Sequence, residues 1–191
     1  MIDSNDDVSD LFSAASDVAL LQLLLAELHD DLPGRLARYH YLIDHGRCLG
    51  SGGTLLFGGT VAHTALTEAR SSFVYGNFAA TILLCQSLAE NNLAGLLHVA
   101  GEDLPAKVGF HETLRRCLAM GFLSSEEVAD LKRLADLRNP LSHFRNVNDP
   151  NNLVRRSVGE GGFAEDVLAR DAHFAIATAS RLMSKAPFRV G

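Results

Sequence analysis

The sequence contains no tryptophan, only five prolines and no long uninterrupted apolar run. Its most apolar stretch, residues 18–26, already includes Gln22, so it is too short to cross a bilayer. Residues 1–10 are acidic, whereas a signal peptide begins with basic residues. We therefore expect neither a membrane span nor a secretion signal, and we expect residues 1–10 to be frayed.

Cysteine is also scarce, with Cys48, Cys85 and Cys117 at spacings that suggest no pairing. An odd number of cysteines argues against the disulfide framework of a small secreted domain. Cys85 and Cys117 fall inside apolar patterns and are expected to be small core residues. This cysteine usage predicts a cytoplasmic protein.

What the sequence does contain is leucine and alanine, and 47% of its 191 residues are hydrophobic. Both residue types favour helices over strands. The length suits one domain with a real core, and there is no internal repeat or second domain. We therefore predict a single all-α domain over residues 1–191, arranged as an up-down bundle.

The first third of the chain has a helical pattern over residues 11–28, with a broad leucine stripe. Residues 30–34 include Pro33 and Gly34 and predict a break or kink, after which a helix resumes over residues 35–46. Residues 48–60 are rich in glycine and predict a flexible connector, with Leu55, Leu56 and Phe57 packing on the core. No lysine follows these glycines, which argues against a phosphate-binding loop.

Residues 62–98 predict the longest helix, broken near Ser71 or Gly76 and central because its middle is apolar on most sides. A short helix is expected over residues 107–120. Ser124 and Glu127 form a capping-box pattern, which predicts the start of a helix that runs to about Phe144. Residues 145–162 predict a mobile loop, and residues 164–184 a last helix. The expected core positions of these last two helices are Val128, Leu131, Leu134 and Leu141, then Val167, Leu168, Phe174, Ile176 and Leu182.

The segment Leu137–Arg145 concentrates the chemistry of the chain, since Arg138, Asn139, Ser142 and His143 lie within six residues. On a straight helix Arg138 and His143 point roughly 140° apart. They can act on one ligand only if the helix bends or ends between them, or if a second subunit supplies one of them. Pro140 offers such a bend, because it has no N–H to donate.

An exposed arginine and histidine suit a phosphodiester, because the guanidinium holds phosphate oxygens and the imidazole transfers protons. Charge agrees with this interpretation: residues 107–156 carry nine basic and six acidic residues, although the whole chain has a net charge of −6. The simpler interpretation is that these residues end a helix, with His143 complementing the helix dipole.

The pattern Arg138-Asn139-x-x-x-His143, preceded by Leu131-x-x-Leu134-Ala135-x-Leu137, resembles the signature of the HEPN superfamily (higher eukaryotes and prokaryotes nucleotide-binding domains). The resemblance covers about residues 71–185. It implies a helical homodimer that cleaves RNA without a metal or cofactor. It also implies that His143 takes the 2′-hydroxyl proton while Arg138 stabilises the phosphate, with Asn139, Ser142 and Arg145 assisting or binding substrate.

Glu90 lies in the apolar centre of the long predicted helix, where a buried carboxylate needs a partner. The resemblance makes Arg138 a candidate for that partner, because many family members carry a polar or acidic residue on this helix near the motif. The alternative is that Glu90 faces solvent. Both interpretations remain open from the sequence.

Two functions follow from the resemblance. The first is an endoribonuclease that serves as a toxin or defence effector, with an antitoxin or other regulatory protein as its partner. The second is a non-catalytic helical module that binds nucleotide, RNA or a protein partner, and the acidic net charge favours it. A serine or cysteine hydrolase is disfavoured, because the chain has no glycine-x-serine-x-glycine elbow.

Overall fold

The computed structural model describes residues 17–191, and within that range every regular element is an α-helix. The predicted all-α class is confirmed. Residues 1–16 lie outside the described part, so the expected fraying of residues 1–10 and the helix start at residue 11 concern residues that it does not include. The seven helices are α1 (Asp17–Gly46), α2 (Gly59–Val74), α3 (Phe78–Val99), α4 (Phe110–Ala119), α5 (Ser125–Ser142), α6 (Leu153–Glu160) and α7 (Ala164–Met183).

The chain divides into two compact units, Met1–Gly34 and Arg35–Gly191. In the first unit, residues 17–34 are helical and carry most of the exposed leucines of the chain. The second unit contains residues 35–46 of α1, all the later helices and the hydrophobic core. All of the candidate site residues belong to this second unit.

Helix α3 is the centre of the second unit and packs against α2, α4, α5 and α7. Ile82, Leu88 and Leu93 are almost completely buried, as expected for a helix that is apolar on most of its surface. The predicted break near Gly76 is also confirmed. Gly76 adopts φ +77°, a left-handed conformation that glycine tolerates best, and it separates α2 from α3.

Helix α5, which carries the motif, begins with the predicted capping box. The Ser124 hydroxyl accepts a hydrogen bond from the Glu127 backbone N–H, and the Glu127 carboxylate accepts one from the Ser124 N–H. Of the expected core positions on this helix, Val128, Leu131 and Leu134 are buried and Leu141 is half-buried. On α7 the pattern is similar: Val167, Ile176 and Leu182 are buried, whereas Leu168 and Phe174 are half-buried.

The predicted break at residues 30–34 is wrong as a helix end, because α1 continues through Pro33 as far as Gly46. A proline inside a helix removes one backbone hydrogen bond at a cost of about 3 kcal/mol. The helix on both sides of Pro33 keeps its i→i−4 backbone hydrogen bonds, so the loss of this one bond is tolerated. The helix-breaking residues Pro33 and Gly34 therefore do not end α1.

The predicted irregular segment 145–162 is corrected in part, since Leu153–Glu160 forms α6. Asn152 caps this helix by accepting a hydrogen bond from the Arg155 N–H, and Gly161 ends it in the left-handed conformation. Arg156 then joins α6 to α7 through two hydrogen bonds of 2.8 and 3.1 Å to Asp171, whose side chain is 2% exposed. This non-local pair stabilises a helix that is too short to persist alone.

The glycine-rich connector is held by backbone hydrogen bonds on both sides. Gly52 and Leu55 donate to the carbonyls of Val190 and Phe188 at 2.8 and 2.7 Å. Leu56 and Phe57 pack on the core as predicted, but Leu55 is exposed, so that expectation is wrong. Its backbone pairs with the C-terminal segment while its side chain points to solvent. Within residues 17–191 no helix is long and apolar enough to span a bilayer.

Candidate functional site

The motif residues lie where α5 ends. The helix runs through Pro140 and stops at Ser142, and His143 has the extended backbone of a C-cap, with φ −135° and ψ 138°. The His143 N–H still donates to the Asn139 carbonyl, at 3.1 Å. His143 is thus off the helical path, and the angle expected on a straight helix does not describe its position relative to Arg138.

Exposure differs across the motif. His143 and Ser142 are exposed, while Arg138 and Asn139 are half-buried. Neither Arg138 nor His143 is sealed in the core, which a site for an external ligand requires. Phe144, directly after His143, is 92% exposed, an unusual position for a large aromatic side chain.

Arg138 stands apart from the other arginines of residues 107–156. Within residues 17–191 its guanidinium has no hydrogen bond, ion pair or ring contact, whereas each other arginine of the segment is engaged. Arg115 and Arg116 pair with Glu112, and Arg133 stacks on Phe174. Of the remaining three, Arg145 pairs with Asp149, Arg155 donates to the Asn148 carbonyl and Arg156 pairs with Asp171. As far as the described residues show, Arg138 is therefore the one arginine of residues 107–156 that remains available to an anion.

Asn139 and Ser142 do not contact the His143 ring. The Ser142 hydroxyl donates weakly to the carbonyls of Arg138 and Asn139, both at 3.4 Å, which is a common arrangement for serine in the last turn of a helix. The Asn139 amide has no hydrogen-bond partner within the described residues. Both groups remain free to bind a ligand, and neither orients the imidazole in this structure.

Arg145 is directed toward its own loop. Its Nη1 lies 3.4 Å from the Asp149 carboxylate, and its Nε is buried with no hydrogen-bond partner. Its carbonyl accepts a hydrogen bond of 3.0 Å from the Asn152 amide, which brings the start of α6 close to the end of the motif. The predicted substrate contact would require this half-buried side chain to leave Asp149.

Glu90 is half-buried on α3 and accepts a hydrogen bond of 2.7 Å from the Gln86 amide. No ion pair joins Glu90 to Arg138 among the residues described here. The Glu90 carboxylate is hydrogen-bonded one turn away on its own helix. The candidate pairing of Glu90 with Arg138 is therefore not formed among the described residues. The buried polar side chains near the centre of α3 are Gln86 itself and Asn92.

The described residues include no cluster of three histidine, cysteine or acidic side chains that could hold a metal ion. Burial raises the pKa of the Cys85 thiol to about 12 and that of Cys117 to about 11. Both thiols are therefore un-ionised near neutral pH, which makes them poor nucleophiles and metal ligands.

A separate cavity of about 360 Å³ lies among α2, α3, α7 and the segment after α1, and none of the motif residues lines it. No pattern in the sequence predicted this cavity. Its signal was weak: His63 and Arg70 are seven residues apart on α2, a spacing that places both on one face of a helix.

Comparisons of this chain with protein-family models, with curated proteins and with solved structures find no significant match.

Proposed function

We propose that this protein is a metal-independent endoribonuclease whose reaction is carried out by Arg138 and His143. The proposal combines the HEPN-like motif with one observation: at the end of α5 an unpaired guanidinium and an exposed imidazole lie five residues apart. The neighbouring arginines are held by other groups. A guanidinium without a protein partner is suited to receive a phosphate.

In the proposed reaction, the neutral imidazole of His143 takes the proton from a ribose 2′-hydroxyl. The 2′-oxygen attacks the adjacent phosphorus, the bond between phosphorus and the 5′-oxygen breaks, and the leaving 5′-oxygen takes a proton from solvent water. The products are a 2′,3′-cyclic phosphate and a 5′-hydroxyl. Arg138 stabilises the charge that grows on the non-bridging phosphate oxygens. Asn139 and Ser142 supply further hydrogen bonds to the phosphate, and Arg145 contributes its positive charge to substrate binding.

The nucleophile belongs to the RNA, so this mechanism needs no metal-activated water. We also propose that the working form is a homodimer, in which two copies of the motif border one cleft that accepts RNA. A regulatory protein such as an antitoxin would act by covering the exposed ends of α5. The exposed Phe144 offers such a protein an apolar contact beside His143.

The proposal is tested by incubating the purified protein with end-labelled RNA in the presence of a chelator. We expect fragments that end in a cyclic phosphate. His143→Ala should lower the cleavage rate by about 10²–10⁴-fold, because it removes the general base. Arg138→Ala should lower it by about 10²–10³-fold, because it removes a donor to the transition state.

Lys132→Ala is the matched control, since Lys132 is an exposed cation on the same helix without a partner among the described residues. It should cleave at the parent rate. Circular dichroism and the oligomeric mass should be unchanged in all three variants. Undiminished RNA cleavage by His143→Ala would refute the assignment.

A second function is favoured by a specific observation. Phe144, Val147, Val154, Val158 and Phe163 are all exposed in the residues that follow the motif. Exposed apolar side chains of this number often mark a protein-binding surface. A non-catalytic module that binds a partner protein, RNA or nucleotide near α6 would show binding without fragments in the same RNA assay.

A further inference from the structure

We propose that the cavity among α2, α3 and α7 binds a small molecule with an aliphatic chain and a carboxylate head. The proposal is independent of the nuclease activity, because none of the motif residues lines this cavity. Its volume of about 360 Å³ falls in the range of small-molecule binding sites. The chemistry of the ligand follows from the walls and the mouth.

The walls are apolar and come from elements far apart in the sequence. The large apolar side chains that line the cavity include Leu42, Leu56, Leu66, Leu88, Ile176 and Met183. Cys85 also lines it, and burial raises the pKa of its thiol to about 12, so it adds an uncharged wall. Such a surface favours hydrocarbon and penalises any charged group that enters deeply.

Polar groups line the same cavity, and none of the described residues that line it is acidic. His63 and Arg70 are exposed residues on one face of α2. Within the described chain Arg70 forms no ion pair or hydrogen bond, and the hydroxyls of Thr54 and Ser180 are likewise unengaged. An unpaired guanidinium beside an apolar cavity suits a carboxylate, which it binds through two parallel hydrogen bonds.

The cavity volume limits the length of the alkyl chain of the ligand. One methylene group occupies about the volume of a water molecule, ~30 Å³, so a cavity of about 360 Å³ holds at most about twelve carbon atoms. The expected ligand class is therefore a medium-chain carboxylate, with its chain among the leucines and its head at Arg70.

The test uses the full chain with ¹³C-labelled isoleucine and methionine methyl groups, titrated with octanoate and observed by NMR. We expect saturable shifts of the Ile176 and Met183 methyl signals, and nuclear Overhauser contacts from those methyls to the octanoate chain. Hexanoate should bind about fifteen-fold more weakly, since each methylene contributes about fourfold. Octylammonium should not bind, because its head repels Arg70.

Arg70→Met keeps the length of the side chain and removes its charge. It should weaken octanoate binding at least tenfold and leave 1-octanol binding unchanged. Lys132→Met, which removes a cation elsewhere, should bind octanoate as the parent does. Ala179→Leu should fill the cavity and weaken the binding of both octanoate and 1-octanol. If this variant does not fold, the contacts from octanoate to Ile176 in the parent protein still locate the site.

Three results would overturn the proposal. The first is no shift of the Ile176 or Met183 methyl signals at millimolar octanoate. The second is equal affinity for octanoate and octylammonium, which would show that Arg70 does not select the head group. The third is octanoate binding by Arg70→Met at the parent affinity.

Discussion

At the scale of single residues, the side chain that ties the glycine-rich connector to the core is Asn92. It is completely buried on α3, and its Oδ1 accepts hydrogen bonds from the backbone N–H groups of Phe57 and Gly58, at 2.6 and 3.2 Å. Gly95, one turn later, lies so close to the connector that a Cβ would stand 2.3 Å from the Phe57 carbonyl oxygen. The buried Asn92 amide binds residues 57–58, and the lack of a side chain at Gly95 lets them pack directly on α3.

We expect Asn92→Leu to lower the free energy of unfolding by about 3 kcal/mol, because it removes the buried acceptor of the Phe57 and Gly58 N–H groups. Asn91→Leu is the matched control, since the Asn91 amide bonds only to Ser87 on its own helix. It should cost less than about 1 kcal/mol. Urea denaturation measures both values, and equal losses would contradict this role of Asn92.

The motif residues also show which features of the site could be predicted from the sequence. The residue types at Arg138 and His143 are visible in the sequence, and so is their spacing. The availability of Arg138 is not, because it depends on which acidic groups the fold brings near each arginine. Arg156 pairs with Asp171, fifteen residues away in the sequence. Within residues 17–191 Glu90 is bonded by Gln86 and not by Arg138. Such pairings are decided by packing.

At the scale of elements, the start of α5 is joined to the end of α7. Lys185, two residues after α7, donates a hydrogen bond of 2.7 Å to the Glu127 carboxylate, which is also part of the capping box. Burial opposes ionisation of Glu127, but the hydrogen bonds from Lys185 and the Ser124 backbone outweigh it and lower the pKa of the carboxyl. The ionised form is therefore favoured by folding.

A lowered pKa in the folded state predicts the direction of the pH dependence. The stabilisation is complete above the ordinary pKa of a glutamate and is lost as the pH falls through the lowered value. We expect Glu127→Gln to reduce the free energy of unfolding by about 1 kcal/mol at neutral pH, a value discounted for partial exposure. The difference from the parent protein should shrink at acidic pH.

Urea denaturation at a series of pH values measures this effect. Glu126→Gln is the control, because Glu126 is exposed in the same helical turn and has no partner among residues 17–191. It should change the free energy of unfolding by a few tenths of a kcal/mol. A difference for Glu127→Gln that stays constant down to acidic pH would contradict the linkage.

At the scale of the whole molecule, the two units differ in composition. The second unit, Arg35–Gly191, contains the complete hydrophobic cluster from Leu42 to Phe188. The described part of the first unit, residues 17–34, has exposed leucines instead of a core, among them Leu21, Leu24 and Leu25. Exposed apolar surface of this kind often mediates association.

We therefore expect a chain that begins at Arg35 to fold alone, with a thermal midpoint within about 5 °C of the full chain. We further expect the full chain to be a dimer by light scattering and the shortened chain to be a monomer, because the leucines of residues 17–34 are lost. Circular dichroism and light scattering measure these outcomes. A shortened chain without a cooperative unfolding transition, or with the mass of the full-length dimer, would contradict the respective expectation.

The sequence alone determined the helical class, the capped start of α5 at Ser124, a break near Ser71 or Gly76 and the position of the motif at a helix end. These features depend on contacts within a few residues, so local pattern is sufficient to find them. Only the tertiary structure decided that α1 continues through Pro33, that Asp171 holds α6, that Arg138 has no partner among residues 17–191 and that Arg70 lines an apolar cavity. The reason is that these outcomes depend on which distant side chains and backbone groups meet when the helices pack.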